Sequence, residues 1–257
     1  MLASLIAGGL AGTCTDLFFF PIDTIKTRLQ AKEGFFKSGG WRGIYSGVGS
    51  AIVASAPGAS LFFVCYDQGK KTLPEYIKSP ALVHMSSASV GELAACLVRV
   101  PSEVIKQRVQ TGQHRSSWLA LKSVLNSPEG KLRGLYRGYW TTIMREIPFT
   151  AIQFPLYEAF KRNWALFSGV ESISVPQGAL CGSIAGGVAA SITTPLDVIK
   201  TRLMLHKTRA SVLEIVRDIA LDGPKAFFAG VVPRTMWISL GGAVFLGTYE
   251  FANSLLV

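Results

Sequence analysis

The side chains able to do chemistry in this chain are carboxylates and bases set at fixed distances inside apolar stretches. Pro21-Ile22-Asp23-Thr24-Ile25-Lys26-Thr27-Arg28 returns as Pro101-Ser102-Glu103-Val104-Ile105-Lys106-Gln107-Arg108 and again as Pro195-Leu196-Asp197-Val198-Ile199-Lys200-Thr201-Arg202. The common pattern is proline, x, acid, x, x, base, x, base. Three helices that each bring one acid and one base to the same level can close a ring of ion pairs. A proline in each helix supplies the bend that brings the ends together. Such a ring seals one side when closed and opens it when broken, which is the bistable element an alternating-access device needs. Three static pairs at helix ends are the plainer alternative. A second set of charges, Asp67 with Lys70, Glu158 with Lys161, and Glu250, stands at the opposite helix ends and favours two gates.

The charges also follow helical steps of three and four. Glu92, Cys96, Arg99, Glu103 and Lys106 fall on one stripe, as do Gly12, Phe19, Lys26 and the two acids Asp16 and Asp23. The third copy reads Gly186, Ala190, Thr193, Asp197 and Lys200. A charge facing lipid costs about 2.5 to 3.5 kcal/mol. These stripes must therefore face one another or a water-filled hollow.

The elements that position them are membrane spans. Of the 257 residues, 49% are hydrophobic and 16% charged, where a soluble domain carries about a quarter charged, and the mean hydropathy is +0.35. Each signature ends an apolar run of about twenty residues. A second run follows each signature after a loop, giving six spans. From Gly47 to Tyr66, Gly138 to Tyr157 and Gly230 to Tyr249 the separation is nineteen residues each time, the mark of a triplicated unit. The repeats run approximately over 1–75, 76–168 and 169–257. From signature proline to that glycine is 26 residues in the first repeat, against 37 and 35 in the others. In the second loop Trp118, Leu119, Leu121, Val124 and Leu125 predict a short amphipathic helix along the membrane surface, for which the first loop is too short.

The net charge is +10. The three signature-side loops hold 18 Lys and Arg against 5 Asp and Glu, and the opposite loops hold 5 against 4, which orients the signatures toward the negative side. Nucleic-acid binding is disfavoured, because the bases interrupt apolar spans instead of forming one soluble face. Cys14, Cys65, Cys96 and Cys181 lie singly inside apolar runs and read as small buried fillers. His84, His114 and His206 are far apart, so no metal site is expected. No charged leader precedes the first span, so targeting is expected from the mature chain.

The triplicated signature, the acid-glycine pairs Glu129-Gly130 and Asp222-Gly223, and the triplets Tyr45-Ser46-Gly47, Tyr136-Arg137-Gly138 and Phe228-Ala229-Gly230 resemble the mitochondrial carrier family over the whole chain. The resemblance implies an all-α membrane protein with six transmembrane helices. They would form three tandem two-helix repeats in a pseudo-threefold barrel with short matrix-side helices, a single carrier domain in the inner membrane. It implies transport without enzymatic activity or cofactor, and a monomer. Its matrix gate would pair Asp23 with Lys106, Glu103 with Lys200 and Asp197 with Lys26, braced by Gln30 and Gln110. Met204 holds the third brace position and cannot act as one. The cytoplasmic gate would pair Asp67 with Lys161 and Glu250 with Lys70, leaving Glu158 opposite the uncharged Asn253. Cardiolipin would bind at the helix starts near Gly47, Gly138 and Gly230.

Arg145-Glu146 stands where the family's substrate contact on the fourth helix lies, and an arginine–acid pair there resembles its amino-acid carriers. The arginine can clamp a carboxylate and the glutamate an ammonium; an internal ion pair is the alternative. With Asp16, Glu92 and Arg99, the expected site has more acid than base, and Trp237 lines another wall. The stretches Arg99-Val100-Pro101, Tyr136-Arg137-Gly138-Tyr139, Arg145-Glu146-Ile147-Pro148-Phe149 and Ile238-Ser239-Leu240-Gly241-Gly242 are similar to family members that carry S-adenosylmethionine. That implies its uptake into the matrix in exchange for S-adenosylhomocysteine. The sulfonium would account for the surplus acid, and Phe149, Phe154 or Trp237 could stack the adenine. Another cationic or nucleotide-like amino-acid solute, a membrane methyltransferase and a non-transporting scaffold are the competing readings.

Overall fold

The computed structural model describes residues 17–76, 80–127, 130–170, 173–206 and 210–241, and all regular structure among them is helical. In chain order these are α1 (17–30), α2 (Gly34–Lys37), α3 (Val48–Thr72), α4 (Pro80–Gln110), α5 (Ser117–Leu125), α6 (Lys131–Leu135), α7 (Tyr139–Ser168), α8 (Val175–Ile192), α9 (Thr194–Leu205), α10 (Val212–Leu221) and α11 (231–241). Four of the expected spans correspond to α3, α4, α7 and the α8–α9 pair; α1 and α11 are the described parts of the first and sixth. The remaining short helices lie in the signature-side loops.

Among the described residues, only Val48–Glu75 is a single helix that is long and apolar enough to cross a membrane by composition alone; Pro176–Ile192 and Thr194–Leu205 qualify together, bent by 62°. The charges on the other spans explain the difference. α4 carries Glu92, Arg99, Glu103 and Lys106, and α7 carries Arg145 and Glu146, groups that lipid excludes and an enclosed hollow admits. Apolar side chains take the outward faces. On α8, Leu180, Ile184, Val188 and Ile192 are exposed at steps of four, one stripe facing where lipid would lie.

The three signature prolines behave differently. Pro21 and Pro101 sit inside the unbroken α1 and α4, whereas the third copy breaks at Thr193, between α8 and α9. Proline removes one backbone donor and crowds the carbonyl four residues back. Two threonine hydroxyls add bonds to the turn that ends at the break: Thr193 Oγ1 donates to the Ala189 carbonyl at 2.8 Å and Thr194 Oγ1 to that of Ala190 at 2.7 Å.

The even spans start on glycine because the chain must turn sharply there. Gly47 and Gly230 have φ of +88° and +74°, a region in which a Cβ is penalised. They also press on a neighbouring repeat: a Cβ on Gly47 would lie 3.1 Å from the Lys106 carbonyl oxygen, and one on Gly230 3.2 Å from that of Lys26.

The second-repeat surface helix expected from the sequence is α5, capped by the Ser116 hydroxyl accepting from the Leu119 amide. Ala120 and Val124 are buried beneath it and Trp118 and Leu119 exposed above. α10 begins with a reciprocal Ser211–Glu214 capping box and buries Ile215 and Ile219. The short first loop holds only the single turn α2.

Candidate functional site

The three signatures converge at one end of the helices, and their charges pair across repeats. Lys106 Nζ lies 2.8 Å from Asp23 Oδ2, Lys200 Nζ 2.6 Å from Glu103 Oε2 and Lys26 Nζ 2.7 Å from Asp197 Oδ2. Each lysine reaches the acid of the preceding repeat, with the first reaching the third, so the pairs close a cycle.

Two of the pairs are braced. Gln30 Nε2 donates to Asp197 at 2.8 Å while its Oε1 accepts from Thr201 at 2.7 Å. Gln110 Nε2 donates to Asp23 at 3.1 Å and to the Thr24 hydroxyl at 3.0 Å. Both glutamines are fully buried. At the third pair Met204 is equally buried, but its thioether joins the apolar cluster of Cys96, Val100, Val104 and Val124 and gives Glu103 no amide.

The second base of each signature grips the backbone of another repeat. Arg28 Nε donates to the Gln110 carbonyl at 2.7 Å, Arg202 Nε to that of Gln30 at 3.3 Å and Arg108 Nη2 to that of His206 at 3.5 Å. These carbonyls belong to helix ends, whose last four acceptors lack intrahelical partners. Arg202 also pairs with Asp222 at 2.5 Å, the acid of the second acid-glycine pair.

Farther along the spans, Arg145 and Glu146 form an ion pair on α7, both largely buried. Arg145 Nε lies 3.7 Å from Asp197 Oδ1, so the candidate substrate arginine and the end ring share a carboxylate. On α4, Arg99 Nη1 lies 2.7 Å from Glu92 Oε1. Trp237 is half-buried on α11. Asp16 lies outside the described residues.

Above Glu146 on the same stripe, at steps of seven, four and four, come Gln153, Tyr157 and Lys161. They line a cavity of about 640 Å³ with Gly178, Gly182 and Ile238. Phe154 lines it too but is largely exposed. The Tyr157 ring lies at van der Waals distance from where a Cβ on Gly182 would be; the missing side chain leaves the room.

At the opposite end the expected pair of Asp67 with Lys161 is not formed. Lys161 instead meets Glu158 of its own helix at 3.4 Å and lies over the Tyr157 ring, while Lys70 lies over Tyr66. Asp67 and Lys70 are exposed. The physical reason is competition: in this conformation each lysine is held by groups three or four residues away on its own helix. Glu250 and Asn253 lie outside the described residues.

The chain matches the mitochondrial carrier protein family over residues 1–39, 34–76, 78–167 and 171–257. This chain is a mitochondrial carrier. It is therefore a multi-pass protein of the inner mitochondrial membrane, and its work is transport, not catalysis. It is 59% identical to the putative mitochondrial carrier protein PET8 of Saccharomyces cerevisiae, covering 98% of this chain and 94% of that protein. It is 50% identical to the mitochondrial S-adenosylmethionine carrier protein of Xenopus tropicalis, covering 99% and 96%. The mouse protein of the same name is 49% identical.

The sequence reading missed Arg234 of this carrier. It is 2% exposed on α11, with Nη1 3.2 Å from Asp197 Oδ1. The signal was available: it is the one cation of the apolar run that follows Gly230, and a charge inside a span marks a functional position by default.

Proposed function

We propose that this carrier imports S-adenosylmethionine into the matrix in exchange for S-adenosylhomocysteine. The observation that carries the reading is the Arg145–Glu146 pair, half-buried on α7 with Glu146 on the stripe that leads into the cavity beside Gln153 and Tyr157. A free amino-acid group needs one site for its carboxylate and one for its ammonium, and the pair offers both. About 10 Å of helix separates Glu146 from Gln153, which suits a molecule with an amino-acid end and a nucleoside end. The Tyr157 ring offers a stacking face for adenine, and the Gln153 amide can donate to and accept from its polar edge. Glu92 supplies negative charge for the sulfonium, with Arg99 setting its position; Asp16 and Trp237 complete the set proposed to face substrate. The names of the relatives at about half identity support the same solute.

In this reading Asp23–Lys106, Glu103–Lys200 and Asp197–Lys26 are the matrix gate, and the structure corresponds to a carrier closed to the matrix. Asp67, Lys70, Glu158, Lys161 and Glu250 would pair across repeats only after that gate opens. Cardiolipin would sit at the helix starts of Gly47, Gly138 and Gly230, since a helix N-terminus attracts phosphate.

The test is uptake by purified protein in liposomes against a panel of labelled solutes. S-adenosylmethionine uptake that unlabelled S-adenosylhomocysteine inhibits, with arginine, lysine and ATP ineffective, supports the reading. Equal uptake of a plain cationic amino acid would shift it to that class.

A further inference from the structure

We infer that Arg234 is a positioning residue that ties the sixth span to the break in the fifth and holds Asp197 in the matrix closure. Movement of α11 and release of Lys26 from Asp197 then become one event. The inference rests on the reading of Asp197 as part of that closure.

The three repeats differ at two positions. Four residues after the helix-start glycine, the even spans carry Ala51, Thr142 and Arg234. Two residues before the signature proline, the odd spans carry Phe19, Arg99 and Thr193. Only the third repeat combines a cation at the first position with a small hydroxyl at the second, and among the described residues only there is an odd span broken, by 62°. Proline is common to all three and does not account for the difference.

The geometry supplies the cause. Arg234 Nη2 donates to Thr193 Oγ1 at 2.9 Å and Nη1 to the Thr193 carbonyl at 3.4 Å, while the same Nη1 lies 3.2 Å from Asp197 Oδ1. One planar guanidinium thus spans the break, binding the residue at its apex and the acid one turn beyond. A lysine has the charge but no rigid fork to do both. Arg234 is 2% exposed and Asp197 3%, so neither group has water to replace a lost partner, and separating them leaves a buried charge uncompensated. Asp197 also faces Lys26 and Arg145. Arg234 fixes where that carboxylate sits between the gate lysine and the proposed substrate arginine.

Two variants test this: Arg234→Lys keeps the charge and loses the fork, and Thr193→Val removes the hydroxyl that accepts from Arg234 and donates to the Ala189 carbonyl. The first measurement is the melting temperature of the purified carrier for wild type, each single variant and the double. Each single variant should melt lower, and the double should lose less than the sum of the two, because the Arg234–Thr193 bond is shared while the Thr193–Ala189 bond is lost with the hydroxyl alone. Melting losses that add would overturn the assignment. The second measurement is exchange in liposomes with the solute the wild type transports. Folded Arg234→Lys loses a bond of the closed state, so kcat should shift upward by about tenfold, the size of one hydrogen bond to a charged group, with KM within about twofold. A loss carried by KM would make Arg234 a substrate contact instead, and an unchanged kcat would remove it from the transport cycle. Because the melting cycle needs no solute, it stands or falls separately from the identity of the substrate.

Discussion

Met204→Gln should strengthen the matrix gate, and the structure gives the size of the effect. In the two braced pairs a buried glutamine donates to the gate acid at 2.8 and 3.1 Å. At the third, Glu103 Oε2 faces the Lys200 ammonium at 2.6 Å without an amide donor, and Gln107 Oε1 is buried with no hydrogen-bond partner among the described residues. Gln107 occupies the register that Thr201 holds beside Gln30. A glutamine at 204 carries two N–H groups, one for each acceptor. A hydrogen bond to a charged group contributes about 1.5 to 3 kcal/mol, and exchanging the packed thioether for an amide costs about 1 kcal/mol. The net is about 0.5 to 2 kcal/mol toward the closed state, or about 2- to 30-fold in the gate equilibrium. Melting of the purified carrier should rise by about 1 to 8 °C. Exchange should slow by up to the same factor if gate opening limits it. A variant that melts at or below the wild-type temperature and exchanges at the wild-type rate would refute the idea that the third pair lacks only its brace.

Other perturbations follow from the same geometry. Glu146→Gln keeps shape and removes the charge paired with Arg145, so uptake should fall at least 100-fold while melting stays within a few degrees; retained uptake would exclude Glu146 from substrate binding. Gly230→Ala should destabilise by about 2 kcal/mol or more, since a side chain at positive φ costs about 1 to 2 kcal/mol and its Cβ would crowd the Lys26 carbonyl at 3.2 Å. Gly49→Ala on α3, where a Cβ meets open space, is the control and should be neutral or stabilising by thermal melting. On the matrix surface the hydrogen bond from Lys32, and then that ammonium's charge, hold the Asp218 carboxyl below its ordinary range. A lowered carboxylate stabilises the fold above its ordinary pKa and loses that contribution as pH falls through the lowered one. The melting gap between wild type and Asp218→Asn should therefore be present at pH 7 and close below about pH 4; a gap independent of pH would show that the pair contributes nothing electrostatic.

Much of this architecture is legible in the sequence because the repeats report on one another. The nineteen-residue interval from glycine to tyrosine fixes the even spans, and the proline–acid–base register puts the ionic ends of α1, α4 and α9 at one level. The amphipathic pattern of 118–125 marks α5. Which lysine meets which acid comes from resemblance, since spacing alone leaves static pairs open. The break at Thr193 is not legible, because all three signatures carry proline at the same register and the difference lies in a guanidinium from another span. The far-end pairs fail for a related reason: a sequence lists partners for every state of a moving protein, and one conformation satisfies one set. The weak hydropathy of α4 and α7 has the same origin, for the charges that serve the hollow lower the apolar signal of the span.

The account rests on coupled exchange of one solute for another across a matrix-side ring of ion pairs. The most direct test loads liposomes containing the purified carrier with labelled S-adenosylmethionine and adds unlabelled S-adenosylhomocysteine outside. The account predicts rapid efflux of label on addition, little without it, and its loss in Lys200→Ala, which strands Glu103. Efflux that ignores the external solute, or no efflux from a folded carrier that exchanges some other compound, would contradict it.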